Sequence, residues 1–177
     1  MPQRIDTYTD FKQEVVDADF RDFMADDSGN LRKAWHCAGS LFHLHEWVYA
    51  AHKASIDAKY TFTNDQKQTQ AVSCASHFAN SLGQQYPNFE RIRGIANASK
   101  HFVLRNPPPG RIIPPGMPSS AANTYVTDAA FQPGVFQRNA FQVGDVMLEA
   151  TPQDMLFSDL AGSVLDMWEQ LFQSERW

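Results

Sequence analysis

The chain has 177 residues, 43% hydrophobic and 20% charged, which supplies one core and excludes intrinsic disorder. Fifteen basic residues against twenty acidic ones give a formal charge of -5, so a strongly basic nucleic-acid-coating protein is excluded while a local cationic patch is not. No apolar run approaches the roughly 18 residues that span a bilayer, and Met1-Pro2-Gln3-Arg4-Ile5-Asp6 has no hydrophobic signal core; no membrane partner is expected. The two cysteines, Cys37 and Cys74, are too few for a disulfide framework or a thiolate zinc site. Both fall in apolar helical patterns, so buried free thiols and a reducing cytoplasm are expected.

Thr9 is placed to cap a first helix over 9–25, with Phe11, Val15, Val16, Phe20, Phe23 and Met24 at helical spacing and Asp26-Asp27-Ser28-Gly29 as its end. The second helix, over 30–53, is apolar around most of its circumference and is expected to be central. A connection over 55–63 leads to a third helix over 65–82, capped by Thr63 or Asn64. Ala71, Val72, Cys74, Ala75, Phe78 and Leu82 face inward there, and Gly83 is its stop. Tyr86-Pro87-Asn88 opens a fourth helix running to 101 or 102, with Ile92, Ile95, Ala96, Ser99 and Phe102 inward.

Seven of the ten prolines lie from Pro107 to Pro133, which forbids a helix there. Short alternating runs over 124–126, 135–137, 140–143 and 146–149 then predict a small antiparallel meander or pair of hairpins. A last helix over 158–172 starts at Ser158 and turns Leu160, Val164, Leu165, Trp168 and Leu171 inward. The expected fold is one mainly α domain over 1–177. It is a four- to five-helix bundle (7–105 and 158–174), with a proline-rich loop and a small antiparallel β-insert over 106–157 before the C-terminal helix.

Six histidines are present, four of them between His36 and His52. At 100° per residue His36 and His43 share one side of the second helix, and His45 and His52 the opposite side. His43 and His45 therefore point about 160° apart and cannot share an ion, and each same-side pair is about 10 Å apart along the axis. A single-metal site drawing His43 or His45, His77 and His101 from three helices is the alternative. The preferred reading packs the histidines beside Trp35 and Trp47, with hydrogen bonds to backbone or carboxylates and no cofactor.

The stretch Phe89-Glu90-Arg91-Ile92-Arg93-Gly94-Ile95-Ala96-Asn97-Ala98-Ser99-Lys100-His101-Phe102 carries the strongest functional signal. On a helix, Glu90, Arg93, Asn97, Lys100 and His101 fall within roughly 100° of one another, opposite the apolar residues. Histidine moves protons near neutral pH, arginine or lysine stabilises charge on a pentacoordinate phosphorus, and asparagine orients an oxygen or the imidazole. The plain alternatives are a solvated face, for Glu90 and Arg91 above all, and an Asn97–His101 hydrogen bond that ties helices together.

Ile95 to Phe102, together with Trp35-His36 and His43-Leu44-His45-Glu46-Trp47, resembles a group of bacterial helical proteins of unassigned activity over about residues 30–105 and the closing Trp168 helix. The spacing Asn97-x-x-x-His101 late in a bundle is also similar to the end of the HEPN signature, arginine, polar residue, three residues, histidine. That resemblance implies a helical bundle. It also implies metal-independent ribonuclease or RNA- and nucleotide-binding activity, a homodimer that builds the site, and roles in bacterial defence. On it His101 is the acid or base, Asn97 orients, and Arg93 and Lys100 contact phosphate. The family's arginine falls on Ala96 here, and Arg93, one turn earlier on the side of Asn97, is the residue left to replace it.

A non-enzymatic module that binds a protein partner is the reading of a different class, favoured by the absent arginine and the net negative charge. No Gly-rich phosphate loop and no Gly-x-Ser-x-Gly elbow occur. Cys74 and His77, three apart, could form a thiolate–imidazole couple, but the apolar neighbours Ala71 and Phe78 favour an inert thiol.

Overall fold

The computed structural model describes residues 4–25, 30–98, 124–126, 146–148 and 155–177. Five helices occur among them. Helix α1 comprises Tyr8–Phe11, a π-helical stretch Lys12–Val16 and Asp17–Met24. It is followed by α2 (Leu31–Lys59), α3 (Ala75–Gln85), α4 (Pro87–Ala98) and α5 (Phe157–Glu175). A hairpin of β1 (Thr61–Thr63) and β2 (Thr69–Ala71) joins α2 to α3. Strands β3 (Thr124–Val126), β4 (Val146–Leu148) and β5 (Met155–Leu156) form an antiparallel sheet that leads into α5, with Tyr125 opposite Met147 and Met147 opposite Leu156. The fold is the mainly α bundle with a small antiparallel β-insert that the sequence predicts. The segments 135–137 and 140–143, and the proline-rich stretch before them, lie outside the described residues.

Helix α2 is the axis of the bundle, and α1, α3, α4 and α5 all pack on it. Its sequence explains why: Ala34, Cys37, Ala38, Leu41, Leu44 and Val48 are fully buried along one stripe, and the buried Ser40 and Phe42 widen it to about half the circumference. Asn30 caps it, its side-chain oxygen accepting from the N–H groups of Arg32 and Lys33. The helix runs six residues beyond the predicted end at 53. His52 departs from helical geometry (φ -120°, ψ 24°), which breaks the apolar periodicity, and the chain resumes its turns to bury Ile56. Helix α5 is pinned to the axis by Trp168, fully buried, whose indole N–H donates to the Leu41 carbonyl at 3.1 Å. Burial of such a side chain stabilises by about 1.5–3 kcal/mol.

The cap of helix α1 lies two residues before the predicted one. Thr7, not Thr9, forms a reciprocal capping box with Asp10: the Asp10 N–H donates to Thr7 Oγ1 at 3.1 Å and the Thr7 N–H to Asp10 Oδ2 at 2.9 Å. Thr9 has Lys12 at the matching position, which has no acceptor. In the π-helical stretch the wider turn brings Lys12 over Asp17 at 3.1 Å, and the same ammonium reaches Glu169 of α5 at 2.9 Å.

The predicted third helix over 65–82 is corrected. Its first half is the hairpin, and α3 begins only at Ala75. Asn64 decides this, because its side-chain oxygen accepts from the N–H groups of Gln66 and Gln68 and closes a turn in competition with a helix. Lys67 takes the left-handed conformation that turn requires (φ 59°). The outer edge of β1 is closed by α3: Ser81 donates to the Thr61 carbonyl at 2.7 Å, and the Gln84 amide pairs with both the N–H and the carbonyl of Thr63. Ala71, expected inward, is exposed, and Cys74, expected on a buried helical face, is the half-buried residue that caps α3. Gly83 does not stop that helix, which continues to Gln85.

Candidate functional site

The polar strip of α4 divides in two. Its first part is turned into the protein: Glu90 and Arg93 are only 3% and 7% exposed. Arg93 Nη1 donates to Asn80 Oδ1 of α3 at 2.8 Å and stands 3.4 Å from Glu90 Oε2. The guanidinium lies 6.0 Å from the centre of the Phe42 ring of α2. Gly83 makes the arrangement possible, since a Cβ at that position would collide with the Glu90 carboxylate. Three helices thus meet around one buried, hydrogen-bonded ion pair. Its Coulomb attraction offsets a desolvation cost of several kcal/mol per charge.

The second part of the strip begins with Asn97, half-buried at the end of α4 and one turn beyond Arg93. Lys100 and His101, the predicted phosphate contact and proton carrier, lie outside the described residues. Arg91, expected on a solvated face, is half-buried and donates to Asn88 Oδ1 at 2.8 Å. Asn88 in turn donates to Ser163 of α5 at 2.8 Å, tying the start of α4 to that helix. A groove of about 280 Å³, floored by Phe89, Val164 and Met167, lies at this same end of α4, away from Asn97.

The histidines of α2 split as the helical geometry predicts. His45 is 3% exposed, and its Nδ1–H donates to the Phe42 carbonyl at 2.6 Å. Burial pushes its pKa down to about 4, against the opposing pull of that carbonyl and of Glu46, so it is neutral at pH 7. His43, on the other side, is 3.3 Å from Glu46 Oε1. His77 of α3 is hydrogen-bonded to Ser73 Oγ at 3.1 Å, and its ring packs on Phe62. His43, His45 and His77 are therefore engaged separately, and among the described residues no group of three or more His, Cys, Asp or Glu is placed to hold a metal ion.

The cysteines also differ from each other. Cys37 is buried as expected, and burial pushes its thiol up to about 12. Cys74 contacts Ser76 Oγ at 3.1 Å, while His77 is bonded to Ser73, so the structure pairs Ser73 rather than Cys74 with the imidazole.

Sequence reasoning missed Asn80, Phe42 and Gly83 as partners of Arg93. An asparagine mid-helix among Phe78, Ala79 and Leu82 was the available signal, because asparagine is a poor helix interior residue unless its side chain is used. It also missed that Trp35 Nε1 and His52 Nε2 are buried with no hydrogen-bond partner among the described residues. An unmatched buried donor costs about 1–3 kcal/mol.

No helix among the described residues is long and apolar enough to cross a membrane. Comparison with protein-family models, with curated proteins and with solved structures finds no match to this chain.

Proposed function

We propose that the chain is a HEPN-like helical module that acts on RNA or nucleotides by metal-independent phosphodiester chemistry. His101 is its general acid or base, Asn97 orients the imidazole or a phosphate oxygen, and Lys100 contacts phosphate. The observation that supports this most is the position of Asn97. It is half-buried at the end of a helix whose preceding turn is held rigid by the Arg93–Asn80–Glu90 contacts, so a side chain there is presented in a defined direction. Arg93 takes a changed role in this reading. Enclosed by Asn80, Glu90 and Phe42, it positions the helix rather than touching phosphate. A twofold dimer completes the reading, with one strip from each protomer.

The test is cleavage of a fluorescent oligoribonucleotide in the presence of EDTA. Strand scission that falls about 10²–10⁴-fold in His101→Ala is the expected result. Wild-type protein that is folded and leaves the RNA intact overturns the enzymatic reading. The burial of Arg93 favours a second reading, a non-enzymatic module of a bacterial defence or regulatory system, because the guanidinium one turn before Asn97 is then enclosed and not open to phosphate. Under that reading the folded protein spares RNA and forms a stoichiometric complex with a protein partner on size-exclusion chromatography.

A further inference from the structure

We propose that the turn Arg176–Trp177, at the end of α5, is an acid-released clasp whose hold on the bundle requires an uncharged His52 at the kink of α2. It operates whether or not the chain acts on RNA.

Three observations carry it. First, the turn is held by its contacts and not by its own preference. Arg176 takes the left-handed conformation (φ 56°), which a non-glycine residue adopts at a cost. The Arg176 and Trp177 N–H groups both donate to the Phe172 carbonyl, which folds Trp177 back onto the bundle. There its indole meets the rings of His52, Tyr60, Phe78 and Phe172. Glu175, which accepts from Lys59 Nζ and Tyr60 Oη, anchors the helix just before the turn.

Second, a hinge and a ring stack coincide at His52. Its backbone is the non-helical point of α2, where Ser55 Oγ donates to its carbonyl at 2.9 Å. Its imidazole stacks on Trp177, with ring centres 5.3 Å apart and planes 17° apart, and Tyr8 of α1 meets it edge-on at 5.1 Å.

Third, the stack suits only the neutral ring. His52 Nε2 is buried with no hydrogen-bond partner among the described residues. A neutral imidazole can leave that nitrogen as a bare acceptor. An imidazolium carries N–H on both nitrogens and buries a charged donor without an acceptor. That costs more than attraction to the indole face returns. The charged groups on the segments around the ring are committed elsewhere: Asp6 to Arg4, Asp10 to the Thr7 cap, Lys53 to Asp57 and Glu175 to Lys59, while Arg176 is exposed. Burial is accordingly what holds the His52 pKa below its ordinary 6.5. The released ring binds the proton more tightly than the stacked one, so the clasp is complete above pH 6.5 and opens as pH falls through the lowered value. Opening withdraws the indole from Tyr60, Phe78 and Phe172.

The test follows the four tryptophan indole signals in ¹H–¹⁵N spectra from pH 7 to pH 5, with Trp177 assigned from Trp177→Phe, alongside the ¹³C titration of the His52 ring. The expected result is a Trp177 signal that moves with the His52 midpoint, below 6.5, while the Trp168 signal, tied to the Leu41 carbonyl, stays in place. Protection of the Arg176 and Trp177 amides against hydrogen exchange should fall by up to about tenfold for each unit by which the His52 pKa lies under its ordinary value. His52→Gln, which cannot become charged, should hold the Trp177 signal fixed. A chain extended by Gly-Gly past Trp177 should respond as the unextended one does, which assigns the response to the imidazole and not to a carboxylate at residue 177. The proposal is overturned by a Trp177 signal unmoved while His52 titrates, by a His52 pKa at or above 6.5, or by a response that survives His52→Gln or disappears on extension. A Trp168 signal that moves with the same midpoint also overturns it, because the whole core is then opening through His45. The wild-type titration gives the answer by itself if His52→Gln disturbs the kink.

Discussion

Two buried polar groups of the bundle meet opposite fates. Around Arg93 three helices supply a carboxylate, a carboxamide and an aromatic face, and Gly83 gives up its side chain to make room. Two turns along α2, the Trp35 N–H is just as sealed and has no partner among the described residues. The difference teaches that burial of a polar group is not in itself a mark of function. A matched group such as Arg93 is part of what holds the helices in register, and an unmatched one is a cost that the surrounding apolar burial has to offset.

The largest effect is expected where matching is most complete. Arg93→Ala leaves Glu90 buried opposite an empty space and should cost about 3–5 kcal/mol in urea unfolding. Glu90→Gln combined with Arg93→Met should recover much of that loss. A single variant as stable as wild type would mean that the pair is not the lock described above.

Next is the titration of His45. Its folded pKa, about 4, lies below the ordinary value of 6.5, so between these limits the unfolded chain binds the proton and the folded one does not. The stability is fully present above pH 6.5 and is lost as pH falls toward 4, by about 3 kcal/mol over the window. Urea midpoints at pH 7 and pH 5 should differ accordingly, and His45→Gln should flatten the dependence.

A smaller loss, about 1–3 kcal/mol, is expected for Gly83→Ala, whose methyl group displaces the Glu90 carboxylate. Thermal unfolding checks it. An unchanged midpoint would show that Glu90 has a second rotamer of equal energy. Smallest of all is Trp35→Phe. Removing an unmatched donor should leave the melting temperature unchanged or slightly raised, which is the opposite of Arg93→Ala. A marked fall would place Trp35 among the matched groups and end the contrast.

Much of the fold could be read from the residues. The continuous apolar surface of 31–49 predicted a central helix, and Pro87 predicted the start of α4. The hairpin could not be read, because β1 buries only Phe62 and β2 buries nothing, so neither strand carries the alternation that betrays a half-buried strand. Ala71, Val72 and Cys74 instead continue the apolar spacing of the helix that follows. The candidate site was legible as a list of residue types on one side of α4, but not as a surface. Glu90 and Arg93 were assigned to the polar side by the rule that charges face water. That rule fails when another helix brings an asparagine and a glycine to meet them.

The order and character of the helices, the two opposed histidine faces of α2 and the spacing of Asn97 from His101 follow from the sequence alone, since each depends on contacts or angles within a few residues. Which polar groups are enclosed and which are left wanting a partner was decided only when α2, α3 and α4 came together. Residues far apart in the chain, such as Phe42, Asn80 and Arg93, had to converge first. Desolvation is a property of that shared interior and of no single segment.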